Sequence, residues 1–230
     1  DGDELDLDAC VRGRADLRAG GPLRQDWDES RRRGRRSLAL TLLVDASGST
    51  DGWICGGRRV LGVVRWAPLL VSHALEHVRV PFAIVAFSGE GPHGVALRAL
   101  KAHAAPYDDL VRLRIAGLEP ERYTRCGAAL RHATAMLMQQ PTEQRALVLL
   151  SDGKPNDADR YDGRYGIEDT RQAVNEARLQ GIVPFCLTVD RQAPGYMPQV
   201  FGASGYALLA QPERLPAALL DWTRRLLARH

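Results

Sequence analysis

The sequence has few cysteines, and their positions do not indicate a disulfide framework or a zinc site. Cys10, Cys55, Cys126 and Cys186 are scattered along the 230-residue chain, and no two of them form a CxxC pair. Thiols spaced in this way are typical of a reducing compartment, where disulfides are rare. We therefore expect reduced thiols in a cytoplasmic protein.

Long apolar runs and a secretory leader are also missing. No apolar run approaches the ~18 residues of a transmembrane helix, so we expect no membrane insertion. The chain shows no secretory signal and begins with Asp1 instead of Met. We expect a processed chain or a part of a longer protein.

A large excess of charge of either sign is missing as well. The formal net charge is +3, which is too small to indicate nucleic-acid binding. The basic run at 31–36 fits a solvated lead-in to the first strand, and its alternative is a patch for an acidic partner or nucleic acid. No aromatic residues interleave with these arginines, which argues against single-strand binding. We expect that nucleic acid is not the partner.

The composition that is present is that of a globular protein. Hydrophobic residues make up 45% and charged residues 26% of the chain, both near globular norms. The length suits one ordinary domain with an extension. We predict an N-terminal extension at 1–36, with a peripheral helix at 4–19 and the basic lead-in, followed by one domain at 37–230.

Short apolar runs alternate with amphipathic segments in that domain. Buried strands are predicted at 38–44, 82–88, 145–151 and 182–189, an edge strand at 94–102 and a last short strand at 205–209. Helices are predicted at about 60–78 with a kink at Pro68, and at 107–116, 127–139, 167–180 and 213–229. This alternation predicts a doubly wound, Rossmann-like α/β fold. Its central sheet would be mostly parallel with one antiparallel edge strand, and helices would cover both faces.

Polar side chains follow the buried strands where each strand ends. Asp45, Ser47 and Ser49 come directly after the first strand, and Asp152 follows 145–151. Parallel strands end at one edge of a sheet, so both carboxylates could face one ion. Carboxylate and hydroxyl oxygens are ligands that Mg²⁺ accepts, and Thr124, before a predicted helix, could offer another. The alternatives are a Ser/Gly-rich turn and ordinary helix caps at Asp152 and Thr124.

A third strand end, at 89–94, matches the pattern G-x-G-x-x-G. A dinucleotide fingerprint also needs a helix that begins inside the motif. Here Pro92 lies in the loop and the next segment alternates like a strand. The pattern favours a tight turn over a nucleotide site.

The order D-x-S-x-S, then Thr before a helix, then Asp at a later strand end resembles the metal-ion-dependent adhesion site of the von Willebrand factor A (VWA) domain. Longer stretches at 117–125, 127–133, 151–157 and 163–170 resemble a bacterial branch of that family. The branch contains NorD, linked to nitric oxide reductase activation, and CbbO, the adaptor of a Rubisco activase. The resemblance covers nearly the whole chain. It implies a C-terminal domain of a longer adaptor that works with a MoxR-type AAA+ ATPase.

The resemblance also implies how the site would work. Ser47, Ser49 and Thr124 would bind Mg²⁺ directly, with Mn²⁺ or Ca²⁺ as alternatives, while Asp45 and Asp152 would act directly or through water. A target protein would fill an open coordination position with an Asp or Glu side chain. We expect the partner-binding residues at the rim to be Trp53, Arg122, Tyr123, Arg125, Lys154 and Asp157.

Binding is expected here instead of catalysis. No nucleophile–base pair or acid–base dyad accompanies the candidate ligands in the sequence. The rival interpretation is a metal-dependent phosphatase with a nucleophilic Asp at a strand end. That chemistry would need a second acid two residues later, where this sequence has Ser47.

Overall fold

A computed structural model gives the structure of the chain. It describes residues 38–48, 53–54, 58–59, 68–73, 75–76, 80–151, 155–157, 159, 161, 163–188, 190, 192–208 and 222, with the backbone alone at 53–54 and 58–59. The chain divides into two compact units, residues 1–36 and residues 37–230. The predicted helix at 4–19 and the basic run at 31–36 lie outside the described residues.

Six strands form one mixed sheet in the order β5-β4-β1-β6-β7-β8. Their bounds are β1 Leu38–Asp45, β4 Phe82–Ser88, β5 Ala96–Lys101, β6 Gln144–Ser151, β7 Ile182–Thr188 and β8 Tyr206–Leu208. Two further strands, β2 Trp53–Ile54 and β3 Arg58–Arg59, pair with each other in antiparallel fashion.

The prediction of a mostly parallel sheet with one antiparallel edge strand is confirmed. β1 runs parallel to both β4 and β6, β6 runs parallel to β7, and β7 runs parallel to β8. β5 is the antiparallel strand at one edge and pairs with β4. The register aligns Asp45 with Phe87, and Val44 with Leu150. The carboxyl ends of β1, β4 and β6 are therefore level, which gives polar residues after these strands a common edge.

Helices cover both faces of the sheet, as predicted. Their bounds are α1 Asp109–Ala116, α2 Cys126–Met138, α3 Gly163–Leu179 and α4 Met197–Phe201; residues 68–73 and 75–76 are also helical. Because alternate residues of a strand face opposite sides, Leu40 and Leu42 of β1 pack in a cluster with α1. Leu43 packs in a second cluster with α2, α3 and α4.

Four elements differ from the sequence prediction. The helix predicted at 167–180 begins at Gly163; its first turn gave no apolar signal because the buried residue there is Gly166, which has no side chain. The short α4 and the β2–β3 pair were not predicted. The helix predicted at 213–229 lies outside the described residues except for Trp222, whose ring stacks on Phe185 at 4.7 Å between centroids.

The G-x-G-x-x-G segment is a tight turn that leads into β5. The Glu90 amide donates to the Gly94 carbonyl at 3.2 Å, and Gly91 has a φ of 69°. A Cβ at Gly94 would lie 2.2 Å from the Glu90 carbonyl oxygen, so the turn needs glycine there. In the part of the chain that the structure describes, no helix has the length and apolar character to cross a membrane.

Candidate metal site at the strand ends

The site is built around Asp45, the last residue of β1, whose side chain is fully buried. One carboxylate oxygen, Oδ1, accepts the backbone N–H of Ser47 at 3.1 Å. The other, Oδ2, accepts the hydroxyl of Ser151 at 2.9 Å. A buried carboxylate is tolerated only where donors or cations compensate for its lost hydration. Asp45 is therefore held at this edge by donors from two different strand ends.

Ser47 and Thr124 lie together beside it. The Thr124 hydroxyl donates to Ser47 Oγ at 2.6 Å, and the two residues are 1% and 3% exposed. Thr124 is fixed by a pair of backbone hydrogen bonds with Asn156, at 2.7 and 3.1 Å. Because Asn156 follows β6, this pairing carries the segment before α2 to the edge where β1 and β6 end.

The segment before α2 is also fastened to the ends of β1 and β4. The Gly48 amide donates to the Arg122 carbonyl at 2.8 Å, and Tyr123 forms a pair of backbone bonds with Gly89 at 2.8 and 2.9 Å. Arg122 adopts a φ of 55°, a conformation that costs energy outside glycine and is typical of functional loops. These backbone bonds thus place Thr124 at the edge where β1 and β4 end.

The described donors fit a hard divalent cation. Neighbouring ligands on an octahedral Mg²⁺ lie ~3 Å apart, close to the 2.6 Å between the Ser47 and Thr124 hydroxyl oxygens. The described residues contain no cluster of three or more His, Cys, Asp or Glu side chains that could hold a metal. Hydroxyl oxygens beside one carboxylate suit Mg²⁺ better than zinc. Ser49 and Asp152 lie outside the described residues, and their roles stay predictions.

The predicted partner-binding residues divide into exposed and buried ones. Tyr123 is 40% exposed, and the Arg122 side chain is 48% exposed, 3.8 Å from Glu90. Arg125 and Asp157 are buried and form an ion pair with each other at 2.6 Å. A partner could not reach these two directly, so the expectation for them is corrected: they hold the site's loops together. The Trp53 side chain and Lys154 lie outside the described residues.

The sequence profile of the von Willebrand factor type A domain matches residues 39–204. The chain belongs to this family. Curated relatives of this VWA domain include a Brucella melitensis protein called NorD, 45% identical over 95% of this chain, and a Stutzerimonas stutzeri protein of the same name, 44% identical over 96%. The chain spans about a third of the length of these relatives, 34% and 37%.

Solved structures with this fold are more distant in sequence. A von Willebrand factor type A protein from Catenulispora acidiphila has a TM-score of 0.58 at 16% identity, over 82% of this chain and 42% of its own. The manganese-loaded TRAP protein of Plasmodium vivax has a TM-score of 0.58 at 15% identity, over 80% of this chain and 72% of its own. These likenesses show the fold of the VWA domain alone.

Two polar residues near the site were not predicted to have a role. Ser151, the last residue of β6, bonds Asp45 as described above. Tyr161 is 1% exposed; its hydroxyl accepts the Gly127 amide at 3.2 Å and donates to Asp169. Burial and the bond to Asp169 raise the pKa of Tyr161, so the phenol stays protonated and donates. Ser151 could have been recognised in the sequence as a hydroxyl residue at the end of an apolar strand. No feature of the sequence around Tyr161 marks that residue as buried or functional.

Proposed function

We propose that this VWA domain binds Mg²⁺ at the edge where β1 and β6 end, with Mn²⁺ or Ca²⁺ as alternatives, and grips an acidic side chain of a target protein. The observation that carries the proposal is the buried Ser47–Thr124 hydroxyl pair beside the Asp45 carboxylate. Ser49 and Asp152 would complete the set. When bound, the ion supplies a positive charge and an open coordination position for a carboxylate of the target.

The chain's own residues suit this role. Ser47 and Thr124 offer neutral oxygens, which leave most of the cation's charge available to an acidic ligand. Asp45 offers a carboxylate whose two oxygens are already oriented by Ser47 and Ser151. Arg122 and Tyr123 are exposed next to Thr124, where a guanidinium and an aromatic ring favour contact with an acidic protein. These groups favour binding of an acidic protein, so we propose an adaptor and not an enzyme.

The proposal for the whole protein rests on the NorD relatives. An adaptor of this kind would act in the cytoplasm with a MoxR-type AAA+ ATPase, without nucleic acid. It would help to activate or remodel a metalloenzyme complex, such as a nitric oxide reductase, or Rubisco. The identity to the NorD-named proteins, about 45% over most of this chain, favours the nitric oxide reductase side.

Metal binding is tested by isothermal titration of MgCl₂ and MnCl₂ into the wild type and Asp45→Ala. We expect the substitution to weaken affinity by about 10–100-fold or more, since it removes the carboxylate around which the site is built. Thr134→Val is the matched control, because Thr134 is a buried hydroxyl on α2 outside the site. Equal affinity of wild type and Asp45→Ala would refute the metal assignment. Circular dichroism of each variant verifies folding.

Partner binding is tested by capture of the MoxR-type ATPase and of the target complex from the same organism, with and without EDTA. We expect EDTA and Asp45→Ala to abolish capture of the target, since the metal bridge is lost. Leu179→Ser is the control: Leu179 is 88% exposed and ends α3, at the opposite end of that helix from the site. If every partner is captured equally well in EDTA, no metal-bridged contact exists.

A further inference from the structure

Ser151 ends β6 directly beside the Asp45 carboxylate. The register pairs Leu150 of β6 with Val44 of β1, so the next residue of each strand reaches the same edge. Ser151 is 3% exposed, and its hydroxyl donates to Asp45 Oδ2 at 2.9 Å across 106 residues of sequence. It is therefore a buried donor that belongs to a different strand from the residue it holds.

We infer that Ser151 is a positioning residue of the metal site: its hydroxyl fixes the rotation of the Asp45 carboxylate. This inference rests on the metal binding proposed above. The Ser47 amide donates to one oxygen, Oδ1, and the terminal torsion of an aspartate is broad. A second donor on Oδ2 defines the plane of the carboxylate. Hydrogen bonds to charged acceptors are also the stronger ones.

A purely structural role for Ser151 makes a different prediction. A serine that only fills a buried strand end would contribute to stability, with the same contribution in metal-free and metal-loaded protein. A positioning serine also sets how well Asp45 is oriented toward the ion. Removal of groups that orient metal ligands typically costs 10–100-fold in affinity. Metal affinity, compared with metal-free stability, separates the two roles.

The experiment compares the wild type with Ser151→Ala, Ser151→Thr, Thr188→Val and Asp45→Ala. Mg²⁺ and Mn²⁺ affinities are measured by isothermal titration, and the urea unfolding of each metal-free protein is measured alongside. Thr188 is the matched control because it pairs with Ser151 in register, is fully buried and accepts the Asp190 amide instead. Should Ser151→Ala fail to fold, Ser151→Cys keeps the volume and substitutes a weak donor.

We expect Ser151→Ala to lower the affinity for both Mg²⁺ and Mn²⁺ about tenfold or more. The affinities of Ser151→Thr and Thr188→Val should stay within about threefold of the wild type. Ser151→Ala binding as tightly as the wild type, with Asp45→Ala impaired, would overturn this inference alone. Equal losses in Ser151→Ala and Ser151→Thr would also overturn it, because the hydroxyl would then not be the cause. No binding by the wild type, or an unimpaired Asp45→Ala, would overturn the metal proposal as well.

Discussion

Replacing Arg125 with methionine is expected to lower the free energy of unfolding by roughly 3–5 kcal/mol, the usual cost of breaking a buried ion pair from one side. The Arg125 side chain is 8% exposed and the Asp157 side chain fully buried, with 2.6 Å between Nε and Oδ2. Arg125 also pairs with Asp159 at 2.5 Å and lies 4.4 Å above the Tyr161 ring. The substitution keeps the apolar stem and removes the cation that compensates Asp157.

The controls separate charge burial from lost packing. Arg122→Met removes a half-exposed guanidinium from the same segment, and we expect a change within about 1 kcal/mol. Adding Asp157→Asn to Arg125→Met should recover part of the loss, since the buried charge is gone. Urea unfolding, fitted with one m-value, gives the free energy of unfolding of the wild type, the two single variants and the double variant. If Arg125→Met costs no more than Arg122→Met, the buried Arg125–Asp157 pair does not stabilise the fold.

The sheet could be predicted from the sequence because each central strand is dominated by apolar residues. The segments 82–88 and 145–151 contain little that could face water, and a strand buried on both faces is the form that such runs take. The edge strand was predicted from alternating residues, and the structure confirms a strand there. Burial along β5 does not alternate, however: the neighbours Arg98 and Ala99 are exposed, and the neighbours Leu100 and Lys101 are buried. Helix starts were less readable, because a glycine such as Gly166 packs through its backbone.

The candidate site could be predicted where its residues follow a strand end or precede a predicted helix. Asp45 and Ser47 lie at the tip of an apolar strand, and Thr124 was recognised from its place before a helix and from the family pattern. Arg125 could not be recognised as buried, because its ion-pair partner lies 32 residues away along the chain. A charged residue in a polar loop looks solvated whether or not another loop covers it. Burial of this kind is a property of the tertiary fold, which local polarity does not encode.

A methyl group at Gly127 is expected to destabilise the domain by about 1–3 kcal/mol, the usual cost of overpacking. A Cβ built there would lie 1.9 Å from Asp169 Oδ2. That carboxylate accepts the Tyr161 hydroxyl and pairs with Arg131 at 2.7 Å, so it cannot yield without breaking contacts between α2 and α3. Gly127→Ala therefore acts through Asp169 and not through the helix backbone.

A double-mutant cycle with Asp169→Ala tests whether the Asp169 carboxylate is the cause. If it is, the effect of Gly127→Ala on the free energy of unfolding should change sign when the carboxylate is removed. Asp169→Ala removes the three atoms nearest to the methyl group, and alanine is favoured over glycine in a helix by about 0.5–1 kcal/mol. Gly127→Ala should therefore stabilise the Asp169→Ala protein, although it destabilises the wild type. Urea unfolding of the four proteins measures the coupling. A cost for Gly127→Ala that is the same in both backgrounds would mean that Asp169 is not what requires glycine at the start of α2.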